Sequence, residues 1–402
     1  MLKNIVNVEG IKVWGSHVGI KSKRRDLAII YSEKVANAAA VFTKNLVAAE
    51  PIKISRENIK SGKAQIFVVN SGNANACTGK KGYEGAQAMV KATAETFDVK
   101  EENVIVASTG IIGEPFPTEK VVEGIKEAKP NLSKRQVAGA LAANAILTTD
   151  TFPKEGFTEF EIGGKEINMA GIAKGSGMIN PNMGTMLGFI VSDVAISSPL
   201  LNKALKEVTE KTFNMINVDG DTSTNDMLGI MCNGMAGNKE ITEENKDYEL
   251  FKKKLEELCM HLAKLIVSDG EGSTKFIEYE VVNAPSEADA RKIVKTISDS
   301  KLVQTAMFGK DPNWGRILAA AGRSGVKYNP DKVDLSVGTV KKNLKIVENG
   351  QPVSHNRSSL KKQMKDSHLK VKLDMHQGNG KAIGWGTDIS YEYVRINAEY
   401  TT

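Results

Sequence analysis

Four short apolar runs rich in β-branched residues, "QIFVVN" (65–70), "NVIVAST" (103–109), "MLGFIV" (186–191) and "FIEYEVVN" (276–283), alternate with segments of helical periodicity. That alternation constrains the fold most. A chain that switches repeatedly between the two periods builds layers of helix on sheet, the α/β or α+β class. Caps and 3.6-residue spacing predict helices over Tyr83–Val99, Ser133–Leu147, Pro199–Ile216, Glu244–Val267 and Ser286–Ser298. At "VVNAPSEADA" a strand ends, Pro285 breaks the chain and Ser286 can cap a helix. The expected division is a larger unit over 1–284 and a smaller αβ unit over 285–402, with more hydrophilic, lysine-rich strands.

With 402 residues, the chain can bury a large core or divide into two domains. Its 41% hydrophobic and 25% charged residues are a globular composition. The net charge of +6 is the small excess of 54 basic over 48 acidic residues spread along the chain, without a focused basic stripe, so nucleic acid is not expected as a partner. Cys77, Cys232 and Cys259 are widely spaced and form no metal-like grouping with histidine, which suits a reducing cytoplasm and predicts no metal site. The N-terminal "MLKNIVNVEGIKVWGSHVGI" has no continuous apolar core, so neither a targeting signal nor a membrane segment is expected.

Several polar stretches imitate known sites. "NVDGDTSTND" (217–226) spaces acidic residues like a calcium loop, but an EF-hand counted from Asp219 needs Gly and Glu where Thr224 and Ile230 stand. It is then either a hydrogen-bonded turn or a polar network supporting a site. "SGNANACTGKKG" (71–82) places six residues between Gly72 and Gly79, and Lys81 stands where a phosphate loop needs Ser or Thr. Its small residues imply close backbone approach, of another segment or of a ligand. "ASTGIIG" (107–113) is either an ordinary strand-to-loop turn or, through Thr109 and Gly110, an oxyanion hole with backbone N–H groups aimed into a cleft.

"KGSGMINPNMGTMLGFI" (174–190) sets a glycine-loosened, proline-bent loop directly against an apolar strand, with Thr185 at the seam. A threonine there can serve β-propensity alone. The combination of Lys174, Gly175, Gly177, Asn180, Pro181, Asn182 and Gly184 points further. A peptide that cleaves itself needs a carbonyl exposed to the next residue's hydroxyl, and a glycine before Thr185 removes the obstructing Cβ. A free α-amine on Thr185, with a pKa of about 7.7–8.0, would then place nucleophile and base in one residue.

"KGSGMINPNMGTML" closely resembles the processing site of the ornithine acetyltransferase family, arginine-biosynthesis enzymes that move an acetyl group from N-acetylornithine to glutamate. "NSGNANACTG", "STGIIGEPFP", "LTTDTFPK", "DGDTSTNDM", "GKDPNWGRILAAAGRSG" and "NAEYTT" resemble further blocks of that family, in order, over essentially the whole chain. The resemblance implies an αββα sandwich of the N-terminal-nucleophile type with its own topology. It implies cleavage between Gly184 and Thr185 into chains 1–184 and 185–402 that stay associated as a heterotetramer. Thr185 is then the nucleophile, Thr109 and Gly110 the oxyanion hole, and Thr148, Lys174, Thr185, Glu271, Asn397 and Thr402 the substrate-binding set. The family typically has Ala where this chain has Gly184.

On that reading an acetyl-threonine ester links two half-reactions in ping-pong order, with no metal or organic cofactor. Whether acetyl-CoA also serves as donor stays open. A self-processing aminopeptidase or amidase could use the same threonine and pass the acyl group to water. At the C-terminus, "DISYEYVRINAEYTT" alternates apolar and polar residues, which predicts a strand delivering Asn397 and Thr402 to the pocket.

Overall fold

The computed structural model describes residues 3–180, 186–354 and 357–399. One sheet is built from β1 (Ile11–Ser16), β2 (Leu27–Phe42), β3 (Lys63–Asn73), β4 (Val104–Ile111), β5 (Lys154–Ile162), β6 (Lys165–Lys174), β7 (Leu187–Ser192) and β9 (Met227–Cys232). Their order is β4-β3-β2-β9-β7-β6-β5, with β1 against β2. The 16-residue β2 serves both ends of the sheet. Its residues 27–32 pair with β1 and 37–42 with β9, and its pairing with β3 shifts register between Tyr31 and Ala36.

That break folds the sheet into two halves facing each other. Period-2 alternation then sorts the side chains. Phe67, Val69, Ile105 and Ala107 of one half meet Ile172, Leu187, Phe189 and Val191 of the other in a central apolar layer. The Phe67 and Phe189 rings lie 5.2 Å apart across it, although β3 and β7 are not neighbours in the sheet. The intervening residues face outward onto helices. Ile66, Val68, Val104 and Val106 pack on α2 (Gly79–Phe97) and α3 (Thr118–Asn131), and Met169, Ile190, Leu228 and Ile230 on α5 (Ser198–Lys211) and α6 (Lys246–Ser268). The result is an αββα sandwich, with α1 (Glu50–Asn58) against β4 and α4 (Gln136–Ala145) against β1.

A second sheet contains β8 (Ile216–Asn217), β10 (Phe276–Ala284), β11 (Asp334–Thr339), β12 (Asn343–Glu348), β13 (Gln351–Pro352), β14 (His368–Asp374) and β15 (Gly380–Thr387). Its order is β13-β12-β11-β14-β10-β15-β8. Helix α7 (Glu287–Ser298) covers β10 and β15, followed by α8 (Lys301–Phe308), α9 (Trp314–Gly322), α10 (Arg357–Gln363) and α11 (Tyr391–Glu399). Ser286 caps α7 through its Oγ, which accepts from Asp289 N at 3.1 Å. The sheets do not divide at Pro285, because β10 pairs in parallel with β14 and antiparallel with β15, and β8 joins the same sheet from still earlier in the chain.

The helices expected from caps and periodicity are present as α2, α4, α5, α6 and α7. The expected C-terminal strand is instead the helix α11. Ser390 decides this, since its Oγ accepts from Glu392 N at 3.1 Å and Tyr393 N at 3.3 Å and so starts a helix where alternation alone suggested extension. Glu392 and Arg395 then pair one turn apart. Among the described residues no helix is long and apolar enough to cross a membrane.

Candidate active site

The ends of β4 and β6, the loops after them and the last turn of α11 meet in one cleft. It is lined by Thr109, Gly110, Thr148, Lys174, Glu271 and Asn397, together with Ser223, Thr224 and Asn225. Those first six are the sequence-predicted site residues that fall within the described chain. Gly184, Thr185 and Thr402 lie outside the described residues. A small adjoining cavity shares Thr109 and Lys174 with the cleft and is closed by Met186, Leu187 and Asp226.

Local backbone demands explain the glycines. Gly110 has φ of 132°, and a Cβ there would stand 2.4 Å from the Gly72 carbonyl carbon, so only glycine lets β3 and β4 approach at this point. That identifies the partner of the small-residue stretch 71–82 here as another backbone segment. A Cβ on Gly177 would stand 2.3 Å from Glu271 Oε2, so the bare backbone leaves room for that carboxylate. Gly175 donates its N–H to Asp150 Oδ1 at 2.7 Å.

Beneath the cleft lies a buried charge network. Asp150 Oδ1 accepts from Lys154 Nζ at 2.6 Å, Lys154 Nζ also binds Asp269, and Lys174 Nζ lies 3.9 Å from Asp150 Oδ2. Burial pushes the Asp150 carboxyl up, but the ammonium groups of Lys174 and Lys154 and the Thr148 N–H outweigh it and hold it at about 2. Burial lowers the Lys174 ammonium, while Asp150 and Glu271 counteract and Lys154 adds to the depression. Lys174 Nζ donates to Thr109 Oγ1 at 3.4 Å, linking the charge network to the predicted oxyanion site.

The opposite wall is tied down by polar groups. Asn225 Nδ2 donates to Ala74 O at 2.6 Å and Ser108 O at 2.8 Å, clamping the loop that follows β3 against β4. Asp219 accepts from Met178 N at 2.6 Å and Ile179 N at 2.8 Å. The 217–226 stretch is therefore a polar network supporting the cleft. Helix α11 docks where Gly272 has no side chain, since a Cβ there would stand 2.3 Å from Tyr393 N. One turn further, Asn397 Nδ2 donates to Glu271 Oε2 at 2.9 Å. Asp150, Ser223, Thr224 and Asn225 were not among the predicted site residues. Their motifs, "LTTDTFPK" and "DGDTSTNDM", were the available signal.

A model of the ArgJ family matches residues 12–402. The chain belongs to the ArgJ family. This is the ornithine acetyltransferase family that its ordered sequence blocks resemble. The arginine biosynthesis bifunctional protein ArgJ of Caldanaerobacter subterraneus subsp. tengcongensis is 50% identical over 98% of this chain and 97% of its own. That of Listeria monocytogenes serovar 1/2a is 46% identical over 99% of this chain and 98% of its own. A chain from the crystal structure of arginine biosynthesis bifunctional protein argJ of Bacillus halodurans is 41% identical, with a TM-score of 0.49, over 52% of this chain and 96% of that chain.

Proposed function

We propose that this enzyme transfers the acetyl group of N-acetylornithine to glutamate in arginine biosynthesis, after cleaving itself between Gly184 and Thr185. One observation carries the reading. Thr109, Gly110, Thr148, Lys174, Glu271 and Asn397, drawn from distant parts of the sequence, line one cleft, and Met186, the residue covalently next to Thr185, closes the cavity beside it.

The chemistry follows from the groups present. Amino-acid substrates carry carboxylate and ammonium groups, and Lys174 with Glu271 offers both charge signs. The Thr185 α-amine takes the hydroxyl proton as Oγ attacks the acetyl carbonyl, and Thr109 with the Gly110 N–H stabilises the oxyanion. The C–N bond breaks, ornithine leaves with the proton on its amine, and an acetyl ester remains on Thr185. The glutamate amine then attacks the ester, the C–O bond breaks, and the proton returns to Thr185. Every charge needed comes from side chains or the Thr185 amine, so neither metal nor organic cofactor enters. The relatives' name, bifunctional protein of arginine biosynthesis, supports a second acetyl donor, acetyl-CoA. The two fragments assemble as a heterotetramer in the cytoplasm on this reading.

Intact-mass measurement tests it first, with fragments 1–184 and 185–402 expected from the wild type and one whole chain from Thr185→Ala. Early quenching with N-acetylornithine should add one acetyl group to the fragment starting at Thr185. An active single chain, or acetyl release to water that glutamate does not accelerate, would overturn the proposal.

A further inference from the structure

We infer that a second cleft beside the catalytic one, bounded by Lys23, Arg24 and Arg25, holds the phosphate groups of acetyl-CoA; this deepens the acetyl-transfer reading and rests on it. The loop between β1 and β2 is built around the buried Asp26, whose carboxylate accepts from Val18 N at 2.6 Å, Ile20 N at 2.8 Å and Lys21 N at 2.9 Å, with His17 Nδ1 at 3.1 Å. Four partners on one carboxylate fix the loop and leave Ser22 to Arg25 exposed at its tip. There Lys23, Arg24 and Arg25 line a cleft with His17, Asp150 and Thr151. Among the described residues none of these three cations has a carboxylate within 4.0 Å, unlike Lys154 and Lys174 beneath the catalytic cleft. Asp150 offers no free countercharge, because its side chain is fully buried and committed to Lys154 and Lys174.

The cleft is placed to serve the catalytic site. Thr148 and Thr149 face the catalytic cleft, and the adjacent Leu147, Asp150 and Thr151 face the basic one, so a single short loop is the partition. Arg24 Nη1 donates to Thr148 O at 3.3 Å across it. Three unpaired cations exceed what an amino-acid substrate requires, and arginine matches phosphate oxygens with paired N–H donors. Acetyl-CoA has the matching anatomy, a reactive acetyl thioester on a flexible arm whose far end carries a diphosphate and a further phosphate. Thr185 Oγ would attack the thioester carbonyl, the C–S bond would break, and the hydroxyl proton would leave with sulfur as the coenzyme A thiol. The acetyl ester so formed is the one glutamate consumes.

The test compares wild type with Lys23→Ala/Arg25→Ala and Lys23→Glu/Arg25→Glu, exposed positions outside the catalytic cleft. We expect KM for acetyl-CoA to rise about tenfold or more, the loss of charge-assisted phosphate contacts. Exchange between N-acetylornithine and glutamate, and turnover of acetyl-pantetheine, which lacks the diphosphate, should be unchanged. Calorimetric binding of coenzyme A should weaken in parallel. Wild-type acetyl-CoA KM and coenzyme A affinity in both variants would overturn the inference, as would ATP competing as well as coenzyme A, which would make the cleft a general nucleotide site. If the wild type exchanges acetyl groups between amino acids but neither binds coenzyme A nor uses acetyl-CoA, the inference fails while the transfer reading stands. If coenzyme A binds and the variants lose it, but exchange is absent, the phosphate site stands and the transfer reading fails.

Discussion

Lys154 and Lys345 each sit between two carboxylates, one beneath the catalytic cleft and the other on the solvent side of the second sheet. Lys154 bridges Asp150 and Asp269 with no side-chain exposure, and Lys345 bridges Asp334 and Glu348 with 44% of its side chain exposed. The contacts are alike, but burial separates their consequences. In the sandwich, β7 and β9 are buried at every residue, whereas β14 alternates buried and open positions because one of its faces meets water. A charge under the sandwich must be matched by a fixed partner, and that fixed partner can then position backbone. Asp150 holds Gly175 N and Thr148 N while it binds Lys154. Asp334 also holds backbone, accepting from Asn349 N at 2.9 Å with His376 Nε2 at 3.2 Å, but these contacts lie at the open side of the second sheet rather than beneath the cleft.

The largest effect should come from Lys154→Met, which keeps length but strands Asp150 and Asp269 without their bridging ammonium. Removing one member of a buried pair costs about 3–5 kcal/mol, read as a shift in urea midpoint, and transfer should fall with it. A loss below about 1 kcal/mol would show the network to be hydrated and the contrast with Lys345 to be false. The acid limb checks the same group. The folded Asp150 carboxyl, at about 2, lies below its ordinary value near 3.8, so its contribution is complete above that value and lost as pH falls from there through about 2. Lys154→Met should erode that acid resistance.

Next in size is deletion of 397–402. Asn397 reaches Glu271 from α11, so the deletion frees a cleft carboxylate. Transfer should drop about a hundredfold, the order expected when substrate positioning is lost, with the two-fragment mass pattern unchanged. Wild-type turnover and KM would remove the tail from the site.

What was legible in the sequence follows the same division. The runs "QIFVVN" and "MLGFIV" read as strands because double-sided burial left apolar residues at nearly every position. The tail misled because Ile389, Tyr391 and Tyr393 mimic alternation, and only the capping bonds to Ser390 reveal a helix. The boundary at Pro285 misplaced β10, whose partners β14 and β15 lie some hundred residues on, beyond the reach of local pattern. Thr109, Gly110 and Thr185 stand out by local motif, whereas Thr148, Glu271, Asn397 and Thr402 enter only through the family resemblance, and Asp150 and Asn225 act through Gly175, Ala74 and Ser108, segments that local pattern does not connect. Lys23 to Arg25 carry no motif in the sequence, and only the fold sets Arg24 beside Thr148.

Asp226 is a buried carboxylate that no lysine bridges. Its side chain is fully buried, and Oδ2 has no hydrogen-bond partner among the described residues. Burial raises its carboxyl well above the ordinary value, with Ser223, Lys174 and Thr43 only partly offsetting this. The folded state therefore retains a proton that the unfolded chain releases, and stability falls as pH climbs above the ordinary value near 3.8. Asp226→Asn should remove that slope, gaining at most about 1.4 kcal/mol per pH unit over the wild type as pH climbs above the ordinary carboxyl value. Parallel pH profiles would mean that Asp226 is ionised and paired.

The smallest effect is expected at Lys345, although its ammonium is pushed up to about 12 by Glu348 and Asp334. A raised lysine pKa contributes stability below the unfolded value near 10.5 and loses it as pH rises through the folded one, so nothing changes across the working range. The bridge also stands in water, where entropy and screening consume most of its Coulomb energy. Lys345→Ala should therefore leave the melting midpoint within error of wild type in high salt, with at most a small loss in low salt. Transfer kinetics should be untouched, because no contact of Asp334 or Glu348 leads to the cleft. A loss at Lys345 comparable to that at Lys154, persisting in high salt, would mean that burial does not set the value of these bridges and that the second sheet is held by its charges.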